Sequence, residues 1–152
     1  MPNRPRDAIG SRHDSPNASP GFLLWQVATL WQREIRAALE PLDLTHAQFV
    51  LLASTGWLEA HAADGEVVTQ AAIAEHACTD AVMTSEVLRT LERKGLVQRG
   101  PHPTDARARR ISLTAAGRFT VRRAVPLVEA VDETFFAQPG GPLRALAERL
   151  RG

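Results

Sequence analysis

With 152 residues and a formal net charge of +1, the chain can form one well-packed domain with helical arms but not two large ones, and its global charge does not single out a polyanionic partner. The charge is nevertheless sorted: Ala37 to Leu88 contains no Lys or Arg, whereas Arg89, Arg93, Lys94, Arg99, Arg107, Arg109, Arg110, Arg118, Arg122 and Arg123 face only Glu92 and Asp105 between Arg89 and Arg123. A single cysteine, Cys78, excludes an intramolecular disulfide, no apolar signal core opens the chain, and the uncharged stretch Leu44 to Leu58 falls short of the roughly 18 residues of a membrane span, so a cytoplasmic protein with no membrane partner is expected.

Residues 1–20 carry Pro2, Pro5, Pro16 and Pro20 among polar residues, a composition expected to form a disordered tail. From Phe22 to Leu39 apolar residues recur on a helical period, with Leu23, Val27, Leu30, Trp31, Ile35 and Leu39, and Trp25 widens the stripe. So broad a band predicts a helix covered on more than one side, as at a subunit interface, and Pro41 ends it.

Thr45-His-Ala-Gln48 is a capping box, and Leu44 with Phe49 supplies the hydrophobic staple, so a second helix is expected from Thr45 with Phe49, Leu52, Ala53 and Trp57 on its core face. Thr69 can cap a short helix from Gln70 to His76 whose Ile73 and Ala77 point inward. Cys78 falls in the following turn, where a small buried residue fits. The next helix is expected from Asp80 to Lys94, with Thr79 as its N-cap and Thr84, Val87, Leu88 and Leu91 inward. Gly95 sits where a left-handed C′ residue belongs, with Leu96 closing back on Leu91.

Strand-like Leu96–Arg99 and Arg110–Leu113 flank a loop too rich in proline and charge for a two-residue turn, which predicts a long, protruding hairpin. Strand alternation puts Ile111 and Leu113 on one side and Arg110 and Ser112 on the other. Thr114 caps a last long helix, which Pro126 should kink. Gly140-Gly141 breaks the chain, and Pro142 begins a final helix with Leu143, Leu146, Ala147 and Leu150 on one face.

A helix, tight turn, helix and basic hairpin in this order point to double-stranded DNA. Opposite the core of the Asp80–Lys94 helix lie Val82, Ser85, Glu86, Arg89 and Arg93, at spacings of three and four. In a helix-turn-helix such a face meets base edges and phosphates in the major groove. Glu86 is the difficult member, because an acid near phosphate costs affinity unless it pairs with a base amino group or an arginine. On the hairpin, Asp105 is close enough to orient the Arg107 guanidinium for a narrow minor groove, with Arg109 and Arg110 beside it for the backbone.

Leu91-Glu-Arg-Lys-Gly-Leu-Val97, the Asp105-Ala-Arg107 wing and Ser112-Leu-Thr114-Ala-Ala-Gly117 resemble the MarR family of winged helix-turn-helix regulators, from about Gly21 onward and most specifically from Met83 to Gly117. The resemblance implies a mainly α fold with a small β-hairpin wing (α+β) in a single domain over residues 21–152. About 21–42 and 115–152 would form dimerisation helices and about 45–114 the winged helix-turn-helix lobe. It further implies a homodimer on a pseudo-palindromic operator, released from DNA by a small aromatic or anionic effector; repression is the expected outcome, because occupying a promoter blocks polymerase with no further contact surface. Trp25, His46 and Phe49 are the candidate residues for that effector's pocket. Glu86 departs from the polar or basic residues frequent in the family at its position.

No Gly-rich phosphate loop, nucleophile elbow or HExxH motif is present, and the histidines are too scattered to converge with Cys78 on a metal, so neither an enzyme nor a cofactor is expected. The competing reading is a winged-helix module whose basic hairpin meets an acidic protein. Such a module would not distinguish operator from random duplex.

Overall fold

The computed structural model describes residues 9–137 and 141–151. Contacts divide the chain into two units, Met1–Glu34 and Ile35–Gly152, and the division falls inside the first helix. Among the described residues of the first unit, Pro16–Ala18 forms a 3₁₀ turn and helix α1 opens at Pro20, where the Ser19 hydroxyl accepts the Phe22 amide at 3.3 Å. The stripe expected for α1 is present, but Phe22, Leu23, Leu24, Trp25, Val27 and Leu30 are exposed.

In the second unit α1 ends at Leu39 with Ile35 and Leu39 fully buried. Pro41 cannot continue the helix, and the chain turns through a 3₁₀ segment, Glu40–Leu42, into Asp43 at φ 51°. Thr45 then starts α2, His46–His61, with the expected capping box: Gln48 N–H donates to Thr45 Oγ1 at 3.1 Å, and Thr45 N–H donates back to Gln48 Oε1 at 3.2 Å. Helices α3, Gln70–Ala77, and α4, Ala81–Arg93, are joined by Cys78–Asp80. Strands β1, Val97–Pro101, and β2, Arg109–Leu113, pair antiparallel with Val97 opposite Leu113 and Pro101 opposite Arg109. Val68 and Thr69 flank the outer edge of β2, where the Ile111 amide donates to the Val68 carbonyl at 2.9 Å. Helix α5, Ala115–Phe136, continues uninterrupted through Pro126, and α6 spans Gly141–Arg151. Of the expected break, Gly140 lies outside the described residues.

The core of this unit comes from every element between α1 and α5, including Leu44, Leu51, Leu52, Ile73, Leu88, Leu91, Val97, Ile111, Leu113, Ala124 and Val128. As expected for α4, Thr84, Leu88 and Leu91 are buried; Val87 lies at the rim. Helix α4 stops as its sequence predicts, with Gly95 N–H on the Glu92 carbonyl and Leu96 N–H on the Leu91 carbonyl, both at 2.9 Å, and Gly95 at φ 72°. Thr114 binds that stop to α5, donating from its hydroxyl to the Gly95 carbonyl at 2.6 Å while accepting the Gly117 amide at 2.9 Å. Gly117 lies so close to the Leu96 carbonyl that a Cβ there would collide with it.

Three expectations change. Trp57 is 58% exposed rather than in the core, and Leu51, Ser54 and Thr55 are buried instead, because the buried face of α2 is rotated toward them. The N-cap of α4 is Asp80, whose carboxylate accepts the Met83 amide at 2.8 Å, and the helix begins one residue later than expected. Thr79 is unavailable for that role: its amide closes α3 on the Ala74 carbonyl at 2.9 Å, and its hydroxyl lies 2.8 Å from that of Thr84. Cys78 is exposed, not packed, because it holds the left-handed position that ends α3, at φ 53°. Among the described residues no helix is long and apolar enough to cross a membrane.

Candidate nucleic-acid interface

The start of α4 is fixed from both sides. Asp80 caps it, and Thr84, fully buried, donates to the Asp80 carbonyl at 2.7 Å. The helix therefore presents one outward face, in which Val82 is 69% exposed, Glu86, Arg89 and Arg93 are exposed and Ser85 is half-buried. These are the residues expected from periodicity. Arg93 Nη2 donates to Thr90 Oγ1 at 2.8 Å, which steadies its guanidinium along the helix. Among the described residues Glu86 makes no ion pair with an arginine, and it is exposed on the open face.

Beyond β1 and before β2, residues 102–108 form the wing tip. The His102 ring organises it, with Nδ1 accepting the Thr104 and Asp105 amides at 3.2 and 3.0 Å, so that nitrogen carries no proton in this arrangement. The expected pairing of Asp105 with the Arg107 guanidinium is replaced: Asp105 Oδ1 accepts the backbone amide of Arg107 at 2.9 Å. At a spacing of two residues the short carboxylate reaches its own backbone first, forming a turn of the Asx kind. The turn stiffens the tip, and Arg107 projects from it exposed. Arg109 and Arg110 are both exposed, whereas Ile111 and Leu113 point into the core.

The basic block is thus not one surface. Lys94 folds back onto the start of α2, donating to the Asp43 backbone carbonyl, to Gln48 Oε1 at 3.1 Å and pairing with the Asp43 carboxylate at 3.1 Å. Arg99 lies under the wing, 3.8 Å from Glu92 and 3.4 Å from Gln70 Oε1. Arg118 pairs with Glu59 at 2.7 Å. Arg89, Arg107, Arg109 and Arg110 make no side-chain ion pair or hydrogen bond among the described residues, and all four lie on α4 or the wing. Sequence reasoning missed the internal roles of Lys94, Arg99 and Arg118, because Asp43, Gln48, Gln70 and Glu59 lie far away in the chain and Glu92, though near, lies on a different element from Arg99.

A groove of about 710 Å³ opens between α2 and α5, walled by Phe49, Trp57, Leu113, Val121 and Val125, with His61, His76, Arg118 and Arg122 also lining it. The Trp57 and His61 rings stack at 4.1 Å, and His61 Nδ1 lies 2.8 Å from the Trp57 carbonyl; that oxygen can only accept, so Nδ1 carries the proton. Of the three pocket residues expected from the sequence, Phe49 lines this groove and Trp25 and His46 do not. His46 is half-buried at the start of α2; burial lowers its pKa from 6.5, opposed by the Asp132 carboxylate and helped by Arg36. Among the described residues no cluster of side chains could hold a metal ion.

Two helices joined by a tight turn, the second presenting a clear face and followed by an antiparallel hairpin, define a winged helix-turn-helix protein. The sequence profile of the MarR family matches residues 44–108. The HTH-type transcriptional regulator YdcH of Bacillus subtilis is 49% identical over 127 residues, covering 84% of each chain. Among solved structures, Staphylococcus aureus MepR in complex with DNA superposes with a TM-score of 0.69 at 26% identity, over 86% of this chain and 92% of that one. CouR of Rhodococcus jostii bound to p-coumaroyl-CoA gives a TM-score of 0.74 at 25% identity, over 93% and 94%. This chain belongs to the MarR family and is a DNA-binding transcriptional regulator.

Proposed function

We propose that α4 enters the major groove and the wing the adjacent minor groove, with Val82, Ser85 and Glu86 toward base edges and Arg89, Arg93, Arg107, Arg109 and Arg110 toward phosphates and the narrow groove. The observation that carries this reading is the sorting of the cations: among the described residues Arg89, Arg93, Arg107, Arg109 and Arg110 on α4 and the wing make no ion pair, whereas Lys94, Arg99 and Arg118 are paired with acids. Uncommitted guanidiniums can displace counterions from DNA without first breaking an internal pair. Glu86 is suited to accept from a cytosine amino group, which would make it a specificity residue instead of an affinity residue.

The working unit is a homodimer. Helix α1 exposes Phe22, Leu23, Leu24, Trp25, Val27 and Leu30, and α6 exposes Leu143, Leu146 and Leu150, more apolar surface than a monomer ordinarily leaves in water. A second copy would cover these faces and place two α4 helices on half-sites about one helical turn apart. Occupying a promoter in this way blocks polymerase, so the protein acts as a repressor. The groove between α2 and α5 takes a small aromatic anion, with Phe49 and Trp57 for the ring and His61, His76 or Arg122 for the charge; MepR's complex with DNA and CouR's with p-coumaroyl-CoA set the precedent for both halves of this reading.

Footprinting on the DNA upstream of its own gene tests this directly. One protected region with internal two-fold symmetry is expected, weakened when an aromatic acid is added. Equal protection of random duplex would favour a non-specific basic module.

A further inference from the structure

At the base of the wing, one carboxylate does what a third strand would do. The Ile111 amide, on the outer edge of β2, is satisfied by the Val68 carbonyl. The next amide on that edge is Leu113, two residues along, and the flanking segment no longer reaches it. Glu59 of α2 fills the place: its Oε1 accepts the Leu113 amide at 2.9 Å. Its Oε2 takes Arg118 Nη1 at 2.7 Å, and Arg118 Nη2 turns back to the Leu113 carbonyl at 3.5 Å. Both backbone polar groups of Leu113 are therefore held by one ion pair. The Glu59 side chain is only 18% exposed, so its charge is largely withdrawn from water and depends on these partners.

We propose that Glu59 is the positioning residue of the wing. By fixing Leu113 it sets the line of β2, and so the place where Arg109 and Arg110, four and three residues back along the same strand, meet DNA; Arg118 holds Glu59 in turn. The proposal rests on the reading of the wing as a DNA contact. It needs no contact between Glu59 and DNA, and as an acid Glu59 would repel phosphate if it had one.

The test uses the full-length protein with Glu59→Ala, Glu59→Gln and Arg118→Met, titrated against a labelled duplex from the DNA upstream of its gene, with hydrogen exchange followed at Leu113. Glu59→Ala is expected to loosen binding about tenfold and to speed exchange at Leu113, and Glu59→Gln, which keeps an acceptor for the amide, to stay within about threefold of the parent protein. Arg118→Met should fall between them, and decides the matter if Glu59→Ala does not fold. Arg110→Ala should cost less in the Glu59→Ala background than in the parent, because a displaced strand no longer presents that arginine. A purely structural role would lower the melting temperature while the folded fraction kept its affinity and the full cost of Arg110→Ala. Unchanged affinity in Glu59→Ala, or in Arg118→Met should the first not fold, overturns the proposal. Should Arg110→Ala alone bind like the parent, the assignment of Arg110 fails, while the affinity and Leu113 exchange of Glu59→Ala still decide for or against Glu59.

Discussion

The basic block contains two populations of cations that look alike in sequence and differ in what surrounds them. Arg89 and Arg107 stand on α4 and the wing with no internal partner, whereas Lys94, Arg99 and Arg118 lie in the same stretch paired with Asp43, Glu92 and Glu59. The first set is available to a polyanion. The second has already been spent on joining α4, the hairpin and α5 to α2 and α3. A positive charge run thus marks a region of the chain, and the geometry decides which charges face a ligand.

The harshest perturbation is to force apart the junction of the wing's base with α5, on which the presentation of the wing depends. Gly117→Ala should drive a methyl group against the Leu96 carbonyl and cost about 1–3 kcal/mol by the scale of overpacking, lowering the thermal midpoint of the whole protein. Arg89→Ala and Arg107→Ala are each expected to weaken operator binding by about 1–3 kcal/mol, measured by anisotropy, with the melting temperature unmoved because neither side chain has an internal partner. For Lys94→Met the pattern should invert: about 1 kcal/mol of stability lost in urea titration, a figure already reduced for the exposure of Asp43.

The smallest effect concerns pH. Burial holds the folded pKa of His46 below 6.5, so the unfolded chain takes up its proton first as pH falls. The stability of neutral His46 is thus complete above about pH 6.5 and declines as pH drops from there toward the lowered value. Replacing His46 by Asn should flatten that part of the stability profile, and an unchanged slope would show that another group carries it.

What was legible in the sequence was what is decided within a few residues. The capping box at Thr45, the stop at Gly95 and the cap at Thr114 each involve partners three to five positions apart, and each formed as expected. Local reasoning failed where two local solutions compete: Thr79 and Asp80 can both cap α4, and closing α3 claims Thr79. Asp105 similarly had a choice between a guanidinium and an amide, and the amide is nearer. The outward face of α4 was readable from periodicity alone. The pairing of Lys94 with Asp43, 51 residues apart, was not, because nothing in either residue's neighbourhood names the other.

The most direct test of the division between the two sets of cations is the salt dependence of operator binding in Arg107→Ala and Lys94→Met, compared with the parent protein. Each phosphate contact contributes about one to the slope of log affinity against log salt. The slope should fall by about one in Arg107→Ala and stay at the parent value in Lys94→Met, whatever happens to its stability. A slope that falls for Lys94→Met and not for Arg107→Ala would contradict the account.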